Sequence, residues 1–344
     1  MKKIIKYIFR TVVPASFIFL AAGCSDSTPE IVESDSGKQL VSVSLQTDWY
    51  AQPEHGGFYQ AVAKGFYEEE GLQVEIRPGA NINTVPQLVA TGRVHFAVGA
   101  LERMFIQNAR NIPLVSLFPY FQHDPQCILF HPESGIETLA DLDGREVMLQ
   151  PGLIYTEFLE KNLGLKLQLL PLDWGLSRFA SDDQFVQQCF LTNEPIVLRN
   201  QGVDAKVIPM SESGFDPYRH VYTNQKMIDE NPEVVAAFTR ASLRGWKDFM
   251  ESDPMPAFEL IIASNPQQNV EVMTQIRDEM KIYNLTEGNA QVGEELGQYN
   301  KARVRKVIEQ LAGLELLEEE LDMEKAIAFD LLPSHLVVDT ELDD

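Results

Sequence analysis

The stretch VSVSLQTDWYAQPEHGGFYQAVAKGFYEEEGLQVEI, residues 41–76, decides how the chain is read. Val41, Val43 and Leu45 alternate with Ser42 and Ser44, the period-two pattern of a strand with one buried face. Residues 58–70 then carry apolar side chains at helical spacing and end at Gly71, a residue suited to a helix C-terminus. Leu72, Val74 and Ile76 alternate once more with Gln73 and Glu75. Strand, helix and strand in so short a span predict a parallel crossover and α/β construction. In such sheets the loop after the first strand, here 48–57, opens onto the ligand crevice.

The same grammar continues outward. Helices are expected at 84–91 and 101–109, and strands at 94–98 and 114–121. A second α/β block follows. It has a short helix and turn at 136–143, a strand at 146–149, a helix at 155–163 and a strand at 167–172. A helix at 181–189 and a strand at 203–208 complete it. After Tyr222 the pattern changes to long helices: 232–250, started by Asn231-Pro232 as cap and first-turn proline, then 270–280 and 303–312.

The first ten residues carry Lys2, Lys3, Lys6 and Arg10 and no acid. Residues 11–20 are mostly apolar, and Ala21-Ala22-Gly23 are small. Residues 1–23 therefore read as an export signal, too short in its apolar run to remain as a membrane span. The whole chain has 28 Lys+Arg against 51 Asp+Glu, a net charge of −23. Without 1–23 the balance becomes 24 against 51, a net of −27. That sign excludes a nucleic-acid binder, which needs clustered cations for phosphate. With 44% hydrophobic residues the body can bury a core, so global disorder is excluded as well. Residues 20–24, Leu-Ala-Ala-Gly-Cys, resemble a bacterial lipobox, which implies cleavage before Cys24 and lipidation of its sulfur. Residues 24–39 read as a flexible polar linker and 331–344 as an acidic tail. Cys127 and Cys189 can be bridged in an oxidising compartment; two buried free thiols is the plainer expectation. Clustered Cys/His spacing is absent, so no metal site is expected.

Five segments together resemble the SsuA/THI5-like (NMT1) family of solute-binding proteins. They are Asp48-Trp49-Tyr50-Ala51-Gln52-Pro53-Glu54-His55-Gly56-Gly57-Phe58-Tyr59 with the following 63–72, then 88–99, 138–145, Asn193-Glu194-Pro195, and 231–246. The resemblance implies an α/β, two-lobed periplasmic-binding-protein fold of type II with a cleft between lobes. Residues 40–125 and 225–330 would form lobe 1, with the C-terminal helices on it, and 126–224 lobe 2. It also implies delivery of a small molecule to an ABC permease and its ATPase by a protein expected to be a monomer without a cofactor. The Trp-x-x-x-Pro-x-His segment is most similar to the branch that binds thiamine-pyrimidine precursors. Asp48 departs from the Asn usual there, and Asp can only accept when ionised.

The candidate ligand-binding residues follow. Trp49 and Tyr50 offer flat faces for stacking on a heterocycle. His55 can donate and accept, beside Gly56 and Gly57, which would let backbone approach a ligand. Glu194 is carried over from the family's Asn-Glu-Pro motif, as acceptor for ring N–H groups; Pro195 predicts an irregular edge there. Tyr155 follows the loop 150–154 as a second stacking face. Gln122 ends a first-lobe strand, and Pro86 and Gln87 are weaker candidates. His95 is expected in the core. The family's fungal synthases use a Lys just after the strand 94–98. Here that position is Gly99, and no Lys lies between Lys64 and Lys161, so no enzyme is expected. The alternatives are a flavin or an organic sulfonate as ligand, a synthase-like enzyme, or a receptor that presents ligand to a sensor. None of the selected residues is basic apart from His55, which places the sulfonate behind the pyrimidine.

Overall fold

The computed structural model describes residues 28–33, 37–79, 84–150, 154–173 and 175–340. The export signal, Cys24 and residues 151–153 lie outside the described residues.

Two mixed sheets organise the molecule. The first contains β1 (Glu30–Glu33), β2 (Gln39–Gln46), β3 (Leu72–Arg77), β4 (Phe96–Ala100), β5 (Val115–Phe121) and β11 (Arg219–Thr223). Strand β2 is its pivot, parallel to β3 on one side and to β4 on the other. Strand β11 lies antiparallel between β4 and β5. The second sheet is β6 (Gln126–Phe130), β7 (Glu146–Leu149), β8 (Gln168–Pro171), β9 (Gln187–Phe190) and β10 (Lys206–Pro209), in the order β10-β6-β9-β7-β8. A short parallel pair joins β12 (Tyr299–Asn300) to β13 (Val337–Val338).

Helices α1 (Gly56–Ala63), α2 (Phe66–Glu69), α3 (Val85–Ala90) and α4 (Leu101–Ala109) belong to the first sheet's segments, and α5 (Ile154–Lys161) and α6 (Glu194–Asn200) to the second's. The C-terminal part is α7 (Gln225–Glu230), α8 (Pro232–Glu251), α9 (Met255–Ser264), α10 (Val270–Ile282), α11 (Lys301–Gly313) and α12 (Met323–Ala326). Helices α8 and α9 pack on α1. The seam is made by glycines. A Cβ on Gly57 would lie 2.2 Å from the Trp246 ring, one on Gly56 2.3 Å from Phe249, and one on Gly245 2.3 Å from the Gly57 carbonyl. Gly56 and Gly57 therefore serve helix packing, a correction to their expected role beside a ligand. Trp246 is fully buried, stacked on Tyr120 with centroids 5.4 Å apart.

Several expectations need correcting. The helix expected at 58–70 is two, because Gly65 turns left-handed at φ 72 between α1 and α2. The helix expected at 181–189 is a turn followed by β9, whose backbone is claimed by β6 and β7. Residues 30–33, expected within the flexible linker, pair as β1 with residues 39–42. β11, placed in the second lobe by the boundary at 224, belongs to the first sheet. β13 gives the expected tail an ordered strand. Cys127 and Cys189 are joined by a disulfide between directly opposed positions of β6 and β9 rather than being free thiols. Helix α8 does begin at Pro232, although the Asn231 side chain makes no capping bond.

The chain passes from one sheet to the other at 122–125 and returns at 210–218. The passages are bound together. Asp216 accepts from the Asp124 N–H at 3.0 Å and from His123 Nδ1 at 2.6 Å. Arg303 of α11 donates to the Asp216 carbonyl and carboxylate, each at 2.7 Å, and to the Gln122 carbonyl. His123 Nε2 donates to Glu294 at 3.0 Å. Burial would depress the His123 imidazole, but hydrogen bonds to Asp216 and Glu294 outweigh it and raise it to about 9. At neutral pH it is a cation donating from both nitrogens.

Candidate functional site

A cavity of about 450 Å³ lies between the two sheets. It is built where α/β sheets place ligands, at the carboxyl ends of parallel strands. Asp48, Trp49 and Glu54 come from the segment after β2, Gln150 from the segment after β7, and Asn193 and Glu194 from the segment after β9. The antiparallel strands contribute from their starts: Arg219 on β11 and Gln126 on β6.

Its floor is an ion network. Arg219 donates to Asp48 Oδ2 at 2.5 Å and faces Asp124 at 3.8 Å. His55 Nε2 lies 3.1 Å from Asp48 Oδ1, which fixes Nε2 as the donor nitrogen. Burial alone would raise the Asp48 carboxyl. The Arg219 guanidinium and the His55 bond outweigh it and hold the group at about 2. Asp124 goes the other way, raised by burial beyond what Arg219 offsets. Glu102, buried on α4, is raised to about 7 by burial and by the Asp124 charge. Asp48 is thus a structural anion that aims its neighbours, and its side chain has two protein partners already.

A second polar group sits above this floor. Glu54 is only 8% exposed, in the short turn Pro53–His55 that leads into α1. Its Oε1 accepts from the Thr192 hydroxyl at 2.6 Å, a bond between first-sheet and second-sheet segments. Its Oε2 is buried and makes no hydrogen bond among the described residues. Burial raises its carboxyl despite the Thr192 bond. Glu194 stands nearby and its charge adds to that of Glu54. Glu194 opens α6 with Pro195 behind it, so the irregular edge expected there is a helix start. Its Oε2 accepts the Phe190 N–H at 2.7 Å, and Oε1 takes the Asn193 amide at 3.3 Å.

The remaining sequence candidates divide. Trp49 lines the cavity and is 44% exposed, packed edge-on against Tyr50 with centroids 5.5 Å apart. Tyr50 is outside the lining, at 63% exposed, and rests on Gly79. Gln122 is buried and engaged in the passage between sheets, donating to the Gln298 carbonyl at 3.0 Å. Tyr155 is buried edge-on against Phe215, without a hydrogen bond on its hydroxyl, and is not a stacking face of the cavity. Pro86 lines the cavity and Gln87 does not. His95 is a core residue whose Nδ1 accepts from the Ser44 N–H at 3.0 Å. Sequence reasoning missed Glu54, Arg219, Gln126 and Gln188. Glu54 lies inside the decisive stretch, next to the candidate His55. The selected residues included no base but His55, whereas Arg103, Arg110 and Arg219 line the cavity, the last of them neutralised by Asp48 and Asp124.

Two lobes around a polar cleft, with C-terminal helices packed on the first, define a periplasmic-binding-protein fold. The periplasmic aliphatic sulphonate binding protein SsuA from Escherichia coli has the same fold, with a TM-score of 0.64 at 12% identity over 83% of this chain and 91% of that one. The chain belongs to the NMT1/THI5-like family, whose model matches residues 52–255. Among its relatives is a formylaminopyrimidine-binding protein from Halalkalibacterium halodurans, 24% identical over 273 residues, 76% of this chain and 81% of the relative. Riboflavin-binding protein RibY from Chloroflexus aurantiacus is 24% identical over 339 residues, 92% of this chain and 95% of the relative. A 4-amino-5-hydroxymethyl-2-methylpyrimidine phosphate synthase from Saccharomyces cerevisiae is 23% identical over 247 residues, 66% and 72% respectively.

Proposed function

We propose that this chain is the solute-binding component of an ABC importer and holds a small flat nitrogen heterocycle in the interlobe cavity. A thiamine pyrimidine precursor is the first candidate. The observation that carries the reading is Glu54 Oε2, a buried acceptor without a donor beside an exposed tryptophan face in the cleft. A ring N–H or exocyclic amino group supplies that donor, and a charge-assisted bond of this kind is worth about 1.5–3 kcal/mol. Trp49 stacks on the ring. The formylaminopyrimidine-binding relative supports this class of ligand. Export through residues 1–23, a lipid on Cys24 and a monomeric body delivering to a permease complete the proposal. A ligand bonded to both lobes favours the closed arrangement by its differential affinity for it.

Binding without chemistry is the reading because Gly99 stands where the family's synthases use a Lys. A flavin is the second reading, supported by the cavity volume of about 450 Å³ and by the riboflavin-binding relative.

Glu54→Gln is expected to weaken an aminopyrimidine by about 1.5–3 kcal/mol and to leave an alkanesulfonate unaffected. Titration calorimetry decides it, and equal losses for both ligands would refute the heterocycle reading. Glu194→Gln should follow the same ranking less steeply, since both its oxygens already have protein donors. Trp49→Ala should cost about 1–3 kcal/mol of ring binding. An unchanged isotherm removes Trp49 from the site.

A further inference from the structure

The cavity is larger than a single ring requires. A cavity of about 150 Å³ suffices for a benzene-sized ring, and this one is about 450 Å³. Part of its wall is α4. That helix follows β4 directly and carries Arg103 and Gln107 on the cavity wall, followed by Arg110 just past its end. Spacings of four and three residues place these side chains on one face. At 1.5 Å of rise per residue, Arg103 and Arg110 are about 10 Å apart along the axis. Glu157 of α5 and Leu316 also line the cavity.

The donors on this wall are unevenly engaged. Arg110 pairs with Glu318 at 3.4 Å, both exposed. Arg103 is half-buried and makes no hydrogen bond and no ion pair among the described residues. The Gln107 amide makes no hydrogen bond there either. A guanidinium and an amide on one helix face present N–H groups, so they suit oxygen acceptors.

We infer that α4 forms a second subsite, and that the natural ligand is a flat heterocycle bearing an oxygen-rich arm, hydroxylated or phosphorylated, which Arg103 and Gln107 bind. This rests on the heterocycle reading above, moves a flavin ahead of a bare pyrimidine as its occupant, and makes the arm, rather than the ring alone, a determinant of specificity.

The test compares molecules that share a ring. Riboflavin and lumiflavin differ by the polyhydroxyl arm, FMN adds a phosphate to it, and 4-amino-5-hydroxymethyl-2-methylpyrimidine serves as a ring without an arm. Titrating the full chain, riboflavin or FMN should bind at least tenfold tighter than lumiflavin, and the stronger of the two identifies the arm's terminus. Arg103→Gln should remove that gain and leave lumiflavin within twofold, and Arg103→Lys should restore part of it. Circular dichroism and thermal unfolding check that each variant folds. Equal binding of riboflavin and lumiflavin, or equal losses for both in Arg103→Gln, overturns the subsite. Tight binding of the bare pyrimidine with no binding of any flavin overturns the subsite and leaves the heterocycle reading standing. If none of the ring compounds binds, both fall.

Discussion

Arg219→Met should lower folding stability by about 3–5 kcal/mol at pH 8, the cost of removing one partner from a buried ion network. Arg219 and Asp48 have side chains only 15% and 14% exposed, and Asp124 is fully covered. Without the guanidinium, Asp48 keeps only its His55 partner, Asp124 loses its nearby positive charge, and Glu102 keeps that of Arg103 alone. The loss should depend on pH with a definite sign. The Asp48 carboxyl sits at about 2 in the fold against an ordinary 3.8. Its pairing therefore contributes stability above pH 3.8, lost as pH falls through 2, and is worth about 2 kcal/mol. In the variant, burial dominates and the acids protonate in the folded state at higher pH. The deficit should then shrink between pH 8 and pH 4.5. Urea unfolding at both values measures it. A deficit below 1 kcal/mol, or one that does not change with pH, would show that Arg219 is not the counter-charge of this floor. Ligand binding should fall as well, because the Asp48–His55 pair then loses the guanidinium that fixes it at the cavity.

Replacing Cys127 and Cys189 together by alanine should cost nearly as much. The bridge spans a sequence separation of 62, and the chain-entropy model assigns about 4 kcal/mol to a loop of that size. Both cysteines are buried, at 0% and 1% exposure, so a reductant should act slowly on the folded protein and fast once urea opens it. The bridge also backs the cavity wall. Gln126 and Gln188, the residues beside the cysteines, line the cavity and bond to each other at 3.2 Å. Unfolding curves with and without reductant, compared with the double variant, test the claim. A shift below 1 kcal/mol would place the stabilisation elsewhere.

Much of the architecture could be read from periodicity. The alternation that defines β3 survives in the fold with its faces intact, whereas β2, central in its sheet, buries Ser44 and Gln46 as well as Val43 and Leu45; the helix expected at 101–109 is α4 residue for residue. Elements failed where their neighbours decide. Strand β6 is buried on every residue, so it has no polar face to alternate with. Strand β9 has a sequence that helical spacing also fits, and the pairing with β6 settles it. At the site, aromatic and charged residues could be nominated one by one. Their roles could not, because a role depends on who supplies the other half of each bond. Asp48 was chosen as an acceptor for ligand, yet its partner Arg219 lies 171 residues away. Glu54 was passed over because only the fold reveals that one of its oxygens has a donor and the other has none.

The joined passages at 122–125 and 210–218 have a mechanical consequence. Two strands of chain held side by side by Asp216, His123 and Arg303 behave as the pin of a door rather than as two loose tethers. Sliding and twisting of the halves would break charged hydrogen bonds, whereas rotation about the pin leaves them whole. The lobes are then left with one angle to vary. A single pair of fluorescent labels, one on each lobe, should report the entire movement, and a second pair placed elsewhere should trace the same curve against ligand concentration.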